Sequence, residues 1–338
     1  MMIRPDTEKT LRNAAIWVGL ASGVFLAWEL RPAILLAFGA VVLAMVFELA
    51  AEAVCWLLKI PRAWGFTVAT ILIIGLIGMV FWLFGLNLYQ QFDEVMKRVT
   101  AGEASFNALL GRSGFGKSLA DSGNSFISGA VQTLVSTGSG LLEGAVIMLI
   151  ASIYLAASPR PHREGAADFF PPGARSRFMR ALDAVGIFLK EWILGQMLLM
   201  VTVGLLSTLA VWLIGLPNPI PLGLLAGLTE AVPYLGPWIG AIPALLVAIT
   251  QGIEPMLLTA AAYFGVHMFE GYMVGPLIQR WFVGIPPALM LVGIFSSQLI
   301  FGLPGVILGA PMTVALYAGV KLLYLKQPVE TAEKTINP

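Results

Sequence analysis

Five polar side chains in the C-terminal half of this chain, Glu230, Tyr234, His267, Glu270 and Gln298, are set in sequence that is otherwise almost wholly apolar. A carboxylate in such surroundings is costly unless protein or a water-filled cavity encloses it, so it is read first as a site for a polar substrate, a cation or a proton. Glu230 opens the stretch Glu230-Ala-Val-Pro-Tyr-Leu-Gly-Pro237, with apolar runs over 220–228 and 238–249 on either side. Prolines at that depth break a helix and free backbone groups that must face protein or a cavity. Broken helices of this kind build binding sites in many transporters. The bland alternative is that Glu230 caps the half-helix that follows.

Tyr263, His267, Glu270 and Val274 fall on one helical face, and His267 and Glu270 at i, i+3 can touch. Histidine titrates near neutral pH, so the pair reads as a polar lining or a proton relay, or else as a structural lock between helices. Gln298 is a third polar candidate. Pro233, Gly236, Pro237, Pro276, Gly302, Gly305 and Pro311 are residues that set backbone breaks or gates, and they crowd into the same half. Glu48, Glu52, Cys55 and Lys59 share a face nearer the N-terminus and read as an interfacial stripe with the lysine snorkelling.

One exact motif match carries no function. Gly111-Arg-Ser-Gly-Phe-Gly116-Lys117-Ser118 fits the P-loop pattern, but a P-loop needs a strand before it and an α/β domain around it. The preceding Glu103-Ala-Ser-Phe-Asn-Ala-Leu-Leu looks helical, and the segment is too short for a nucleotide-binding domain. No nucleophile–base pair and no metal-ligand cluster stands at a plausible depth. The chain is read as a non-enzyme with no metal and no cofactor.

The elements that position these residues follow from composition. The chain has 338 residues, 58% hydrophobic and 12% charged, with a mean hydropathy of +0.86. Soluble domains carry roughly a quarter charged residues, so this is a polytopic membrane protein. Its formal net charge of +1 argues against nucleic acid as a partner. One cysteine, Cys55, excludes an intrachain disulfide and a Cys-based metal site.

A span needs ~20 mostly apolar residues. Candidates lie at 13–28, 33–58, 63–88, 141–157, 192–213 and 255–274, with a broken segment at 220–249 and an apolar pair at 288–301 and 304–325. The polar stretch 89–138 reads as amphipathic helix near a membrane surface, or as a solvated loop. The residues 158–190 are basic, and Phe169-Phe170-Pro171-Pro172 breaks the chain before a helix starting near Arg175. Basic groups at Arg4/Lys9/Arg12, Lys59/Arg62, 160–180, Arg280 and Lys321/Lys326 all face the cytoplasm if 220–249 enters and leaves on one side. The organisation expected is therefore 1–88 with three transmembrane helices, 89–138 outside, 139–191 as a fourth span and basic loop, 192–326 as a transport core, and 327–338 as a cytoplasmic tail. The fold class is all-α, with about eight transmembrane helices and one or two re-entrant hairpins in the C-terminal half. Leu222-Gly-Leu-Leu-Ala-Gly227 also looks weakly like Pro304-Gly-Val-Ile-Leu-Gly309, as in an internal repeat.

Taken in order, Glu230-Ala-Val-Pro-Tyr-Leu-Gly-Pro237, Glu270-Gly-Tyr-Met-Val-Gly-Pro276 and Phe301-Gly-Leu-Pro-Gly305 through Ala310-Pro311 resemble the autoinducer-2 exporter family of membrane transporters. The resemblance spans nearly the whole chain. His267 departs from the glutamine expected there, and Ile285-Pro286 from a more usual His-Pro. The resemblance implies a multi-pass protein of the bacterial inner membrane, N- and C-termini cytoplasmic, assembled as a homo-oligomer, with a pentamer implied for some members. It implies export of a small polar metabolite, autoinducer-2 or similar; a sodium/proton antiporter and a non-transporting oligomeric scaffold are the alternatives. The partners expected are a small-molecule or ion substrate, the lipid bilayer and further copies of the chain.

Overall fold

The structure is a computed structural model that describes residues 5–79, 82, 143–281 and 285–323. The described residues are helical throughout, joined by short turns, with no strand among them. The P-loop-like sequence, the polar stretch 89–138 and the tail 327–338 lie outside them.

Among the described residues twelve α-helices follow in order: α1 (Pro5–Glu29), α2 (Arg31–Leu58), α3 (Arg62–Met79), α4 (Glu143–Ala157), α5 (Pro159–Asp168), α6 (Pro172–Ile214), α7 (Pro219–Thr229), α8 (Gly236–Gln251), α9 (Ile253–Phe269), α10 (Gly275–Trp281), α11 (Pro287–Phe301) and α12 (Leu303–Leu323). Proline stands at the first or second position of α2, α5, α6, α7, α8 and α11, where its missing N–H costs nothing. Among the described residues four helices, α2, α3, α6 and α12, are long and apolar enough to cross a membrane, and α4 with α5 make a fifth span if the bent pair is taken together. The described residues thus hold four or five such spans, and the expected count of eight is not confirmed by them. The charge-free part of α1, 13–28, is shorter than the ~20 residues a span needs.

α6 is the mast of the fold. It runs unbroken for 43 residues, so the latter part of the basic stretch, from Pro172, and the expected fifth span are one helix. The start at Pro172 follows the Pro171-Pro172 step, as the sequence predicts, and Gly215 ends the helix in the left-handed conformation (φ 84°). α5 leaves α4 at 96° and is tied to α6 by the exposed ion pairs Arg163–Asp183 and Arg175–Asp168. Glu52 meets Lys190 of α6 at 2.7 Å and Glu48 meets Arg62 of α3 at 3.5 Å, so two members of the stripe on α2 join it to its neighbours.

Two helical hairpins pack on this mast. In α7–α8 a side chain at Gly240 would meet the Cα of Ala226 at 2.9 Å, and one at Gly236 would meet the Cα of Glu230 at 2.7 Å. Those pairings make α7 and α8 antiparallel, with their turn at Glu230–Leu235, so the broken segment at 220–249 is a hairpin of two short apolar helices. α11 and α12 pair likewise: a Cβ on Gly309 would sit 2.9 Å from the Cα of Ile294, and one on Gly305 would meet the carbonyl of Ser297. The break falls at Gly302 (φ 67°). Pro311, expected as a break, lies inside a continuous α12.

Glycines bring these elements to backbone contact. A Cβ on Gly227 would sit 3.0 Å from the Cα of Gly204, and one on Gly223 would meet Thr208 and the carbonyl of Gly204. Lipid tails are as apolar as leucine, so such small-residue contacts, rather than hydrophobic burial, drive helices together in a bilayer. Val203 and Val211 of α6 then pack with Leu222, Ala226, Ala244, Val247 and Tyr263 in one apolar cluster.

Candidate functional site

Glu230 ends α7 and begins the hairpin turn, where Pro233 prevents the helix from continuing. Its side chain is 3% exposed, and Oε2 has no hydrogen-bond partner among the described residues. It does not cap the next helix, because the N-cap of α8 is Leu235 with no side-chain cap bond. Its own carbonyl accepts a hydrogen bond from Gln196 Nε2 at 2.5 Å. That bond fixes the turn against α6. Tyr234 follows with φ 67°, a left-handed conformation that a bulky residue holds at a cost of about 1–3 kcal/mol.

Glu270 is placed by a different device. The helix that begins as α9 passes through a π-helical turn, Glu270–Val274, before resuming as α10. Pro276 explains it: the ring lacks an N–H and clashes with the carbonyl four residues back, so the helix widens there. The Gly275 N–H instead reaches the Glu270 carbonyl, five residues back. π-Turns re-aim side chains and recur at functional sites.

These elements enclose a cavity of about 530 Å³ whose lining includes Gln196, Glu230, Pro233, Tyr234, Glu270 and Pro276, with Trp192, Leu199 and Met290 as apolar walls. The volume falls in the range of small-molecule sites, and the few polar groups converge in an otherwise apolar enclosure. His267 lies one turn from Glu270 with Nδ1 3.8 Å from Oε2, too long for a hydrogen bond. Neither ring nitrogen has a hydrogen-bond partner among the described residues.

With this geometry, the comparison with known proteins decides the class. The sequence profile described as "AI-2E family transporter" matches residues 15–324. The chain belongs to the AI-2E transporter family. It is 33% identical to YrrI of Bacillus subtilis, provisionally named a transport protein, over 146 residues, or 43% of this chain and 41% of that one. A Thermotoga maritima protein, provisionally named the same way, is 27% identical over 204 residues, or 57% of this chain and 60% of that one. The chain thus spans about two fifths of YrrI and three fifths of the Thermotoga protein. Membership makes it a multi-pass membrane protein of a transport family, as the sequence motifs imply.

Of the residues expected to bind substrate or proton in this AI-2E chain, Glu230, Tyr234 and Glu270 line one cavity, and His267 stands beside it. Gln298 is not among the lining residues; it is exposed near the end of α11, where its carbonyl accepts the Gly302 N–H at 2.8 Å. Pro233, Pro237 and Pro276 line the cavity as well, whereas Gly236 packs the hairpin turn and Gly302, Gly305 and Pro311 belong to the α11–α12 hairpin. Gln196 and Trp192 were not anticipated. The signal for Gln196 is an amide alone in an apolar run, spaced along the α6 face that also carries Val203, Ser207 and Val211.

Proposed function

We propose that this chain is a secondary transporter of the bacterial inner membrane that exports a small polar metabolite, autoinducer-2 or a molecule like it. The observation that carries the reading is the cavity of about 530 Å³ in which Glu230 and Glu270 meet Gln196 and Tyr234. Two carboxylates and an amide bind a polyhydroxylated molecule by accepting and donating hydrogen bonds, while Trp192 and Leu199 give it apolar walls. The α7–α8 hairpin acts as the gate, and the π-turn presents Glu270 to the path. The termini face the cytoplasm, and the working form is a homo-oligomer, with a pentamer implied by the family resemblance.

A sodium/proton antiporter is the second reading, favoured by the two carboxylates on one cavity. A bare sodium ion wants a close shell of oxygens, and a cavity this size with long apolar walls supplies few, which supports the organic substrate. Binding separates them. In purified protein, autoinducer-2 is expected to perturb tryptophan fluorescence saturably, with the change lost in Trp192→Phe and Glu230→Gln. A response to sodium and none to autoinducer-2 overturns the exporter reading.

A further inference from the structure

A second cavity, of about 850 Å³, opens where the end of α2, the start of α3 and the bend between α4 and α5 meet. It shares no lining residue with the substrate site. Its surroundings set its level in the bilayer. Trp56 and Trp64, next in sequence to the lining residues Cys55 and Ala63, are 82% and 66% exposed, as tryptophans at a membrane surface are. α5 carries Arg160, Arg163, Glu164 and Asp168 and leaves the apolar α4 at 96°, so it runs along that surface. The cavity therefore lies at the depth of lipid headgroups.

Both signs of charge line it. Glu48 and Glu52 stand one turn apart on α2, Arg62 opens α3, and Arg160 lies in the first turn of α5. Glu48 Oε1 meets Arg62 at 3.5 Å, longer than an ordinary hydrogen bond. Glu52 is held at 2.7 Å by Lys190, a residue outside the lining. A carboxylate has about four acceptor positions, so both keep capacity for a further donor. The start of α5 also faces the cavity, and its N-cap Ser158 makes no side-chain cap bond. Pro159 and Pro161 have no N–H, which leaves the Arg160 N–H to point outward with the positive end of the helix dipole behind it. Phe66 and Ala156 line the cavity as well and pack with Ala44 and Phe47, one turn further into the membrane than Glu48 and Ala51. A charged rim thus stands over an apolar floor.

We propose that this cavity holds the headgroup of a membrane lipid that carries both a phosphate and a primary ammonium, of the phosphatidylethanolamine type. Arg62, Arg160 and the start of α5 take the phosphate, as guanidinium groups and helix N-termini do. The ammonium donates to Glu48 and Glu52, and the two poles of the headgroup match the two signs of charge in the lining. The acyl chains run down past Ile71 and Leu72 of α3 and Ile147 and Ile150 of α4, all exposed apolar side chains. A choline headgroup has no N–H to give the carboxylates, and a glycerol headgroup brings no cation to balance them. A soluble zwitterion meets the same charges but leaves the apolar floor uncovered. The site stands whatever the other cavity transports.

Native mass spectrometry of the full-length protein in detergent tests this. Phosphatidylethanolamine, phosphatidylcholine and phosphatidylglycerol with identical acyl chains are added one at a time. The first phosphatidylethanolamine is expected to bind about tenfold or more tightly than either of the others. Equal affinity for the three lipids in the wild-type protein overturns the proposal without recourse to any variant. Glu48→Gln is expected to bring phosphatidylethanolamine down toward phosphatidylcholine. Arg160→Gln should weaken both together, and Arg160→Lys, which keeps the charge, should restore most of the loss. An undiminished preference for phosphatidylethanolamine in Glu48→Gln and Arg160→Gln alike would place its site elsewhere and overturn the assignment. Free phosphoethanolamine, the headgroup without chains, is expected to leave the bound lipid in place. Displacement of the lipid by an equal concentration of phosphoethanolamine would make the ligand a soluble metabolite and overturn the lipid reading.

Discussion

Gln196 and Glu230 show how one hydrogen bond positions a charge. The Gln196 amide bonds the carbonyl of Glu230 at 2.5 Å, leaving the carboxylate itself toward the cavity. Gln196→Leu keeps the volume and removes the donor. It is expected to destabilise the protein by about 1–3 kcal/mol, read as a lower unfolding temperature in detergent, and to weaken substrate binding as the turn loosens. An unchanged unfolding temperature would show that the bond does not hold the turn. Glu230 and Glu270 are legible in the sequence because a charge inside an apolar run is costly and needs a reason. Gln196 and Gln298 show where that logic stops. Both are lone amides in apolar sequence, yet one is buried at the cavity and the other exposed near a helix end. Only packing separates them.

At the scale of elements, Pro276 and the glycines before it set the π-turn that aims Glu270. Pro276→Ala restores an N–H and removes the clash, so the turn is expected to tighten to an α-helix and rotate Glu270 relative to α10 by about one residue, roughly 100°. Substrate flux should fall by about tenfold or more with little loss of folded protein. Wild-type flux in this variant would mean that the π-turn is incidental. The hairpin at 220–249 was readable because Pro233 and Pro237 interrupt a segment otherwise long enough to be one span. Pro311 obeys the same local rule and yet sits inside a continuous α12, since apolar helices in a bundle accommodate a proline when neighbours cover the freed carbonyl. The length of α6 was also hidden: a change from charged to apolar residues marks a change of surroundings, while helix propensity continues through it. The close contacts of Gly223 and Gly227 read in the sequence only as part of a weak internal similarity, because their meaning lies in the partner helix.

For the whole molecule, four exposed tryptophans stand at helix ends, Trp56 and Trp64 where α2 meets α3, and Trp28 and Trp212 at the far ends of α1 and α6, while Trp17 lies midway along α1. Tryptophan favours the two membrane interfaces, which supports a bilayer lying between these belts. Lys59, Arg62, Arg160 and Arg163 fall with the first belt, on the side the positive-inside rule assigns to the cytoplasm. From this sidedness, residues 89–138 are expected outside the membrane. In a Cys55→Ser background, single cysteines introduced there should react with an impermeant thiol reagent added to intact cells; reaction only after lysis would reverse the orientation. The family and the helical class were legible because their motifs are breaks and charges placed in order along the chain, whereas the substrate leaves no such mark. The most direct test of the central claim is therefore flux in proteoliposomes under an imposed pH gradient, with autoinducer-2 and sodium loaded separately. The account predicts gradient-driven movement of autoinducer-2 that falls by about tenfold or more in Glu230→Gln and Glu270→Gln. Movement of sodium alone, or autoinducer-2 flux untouched by both substitutions, would contradict it.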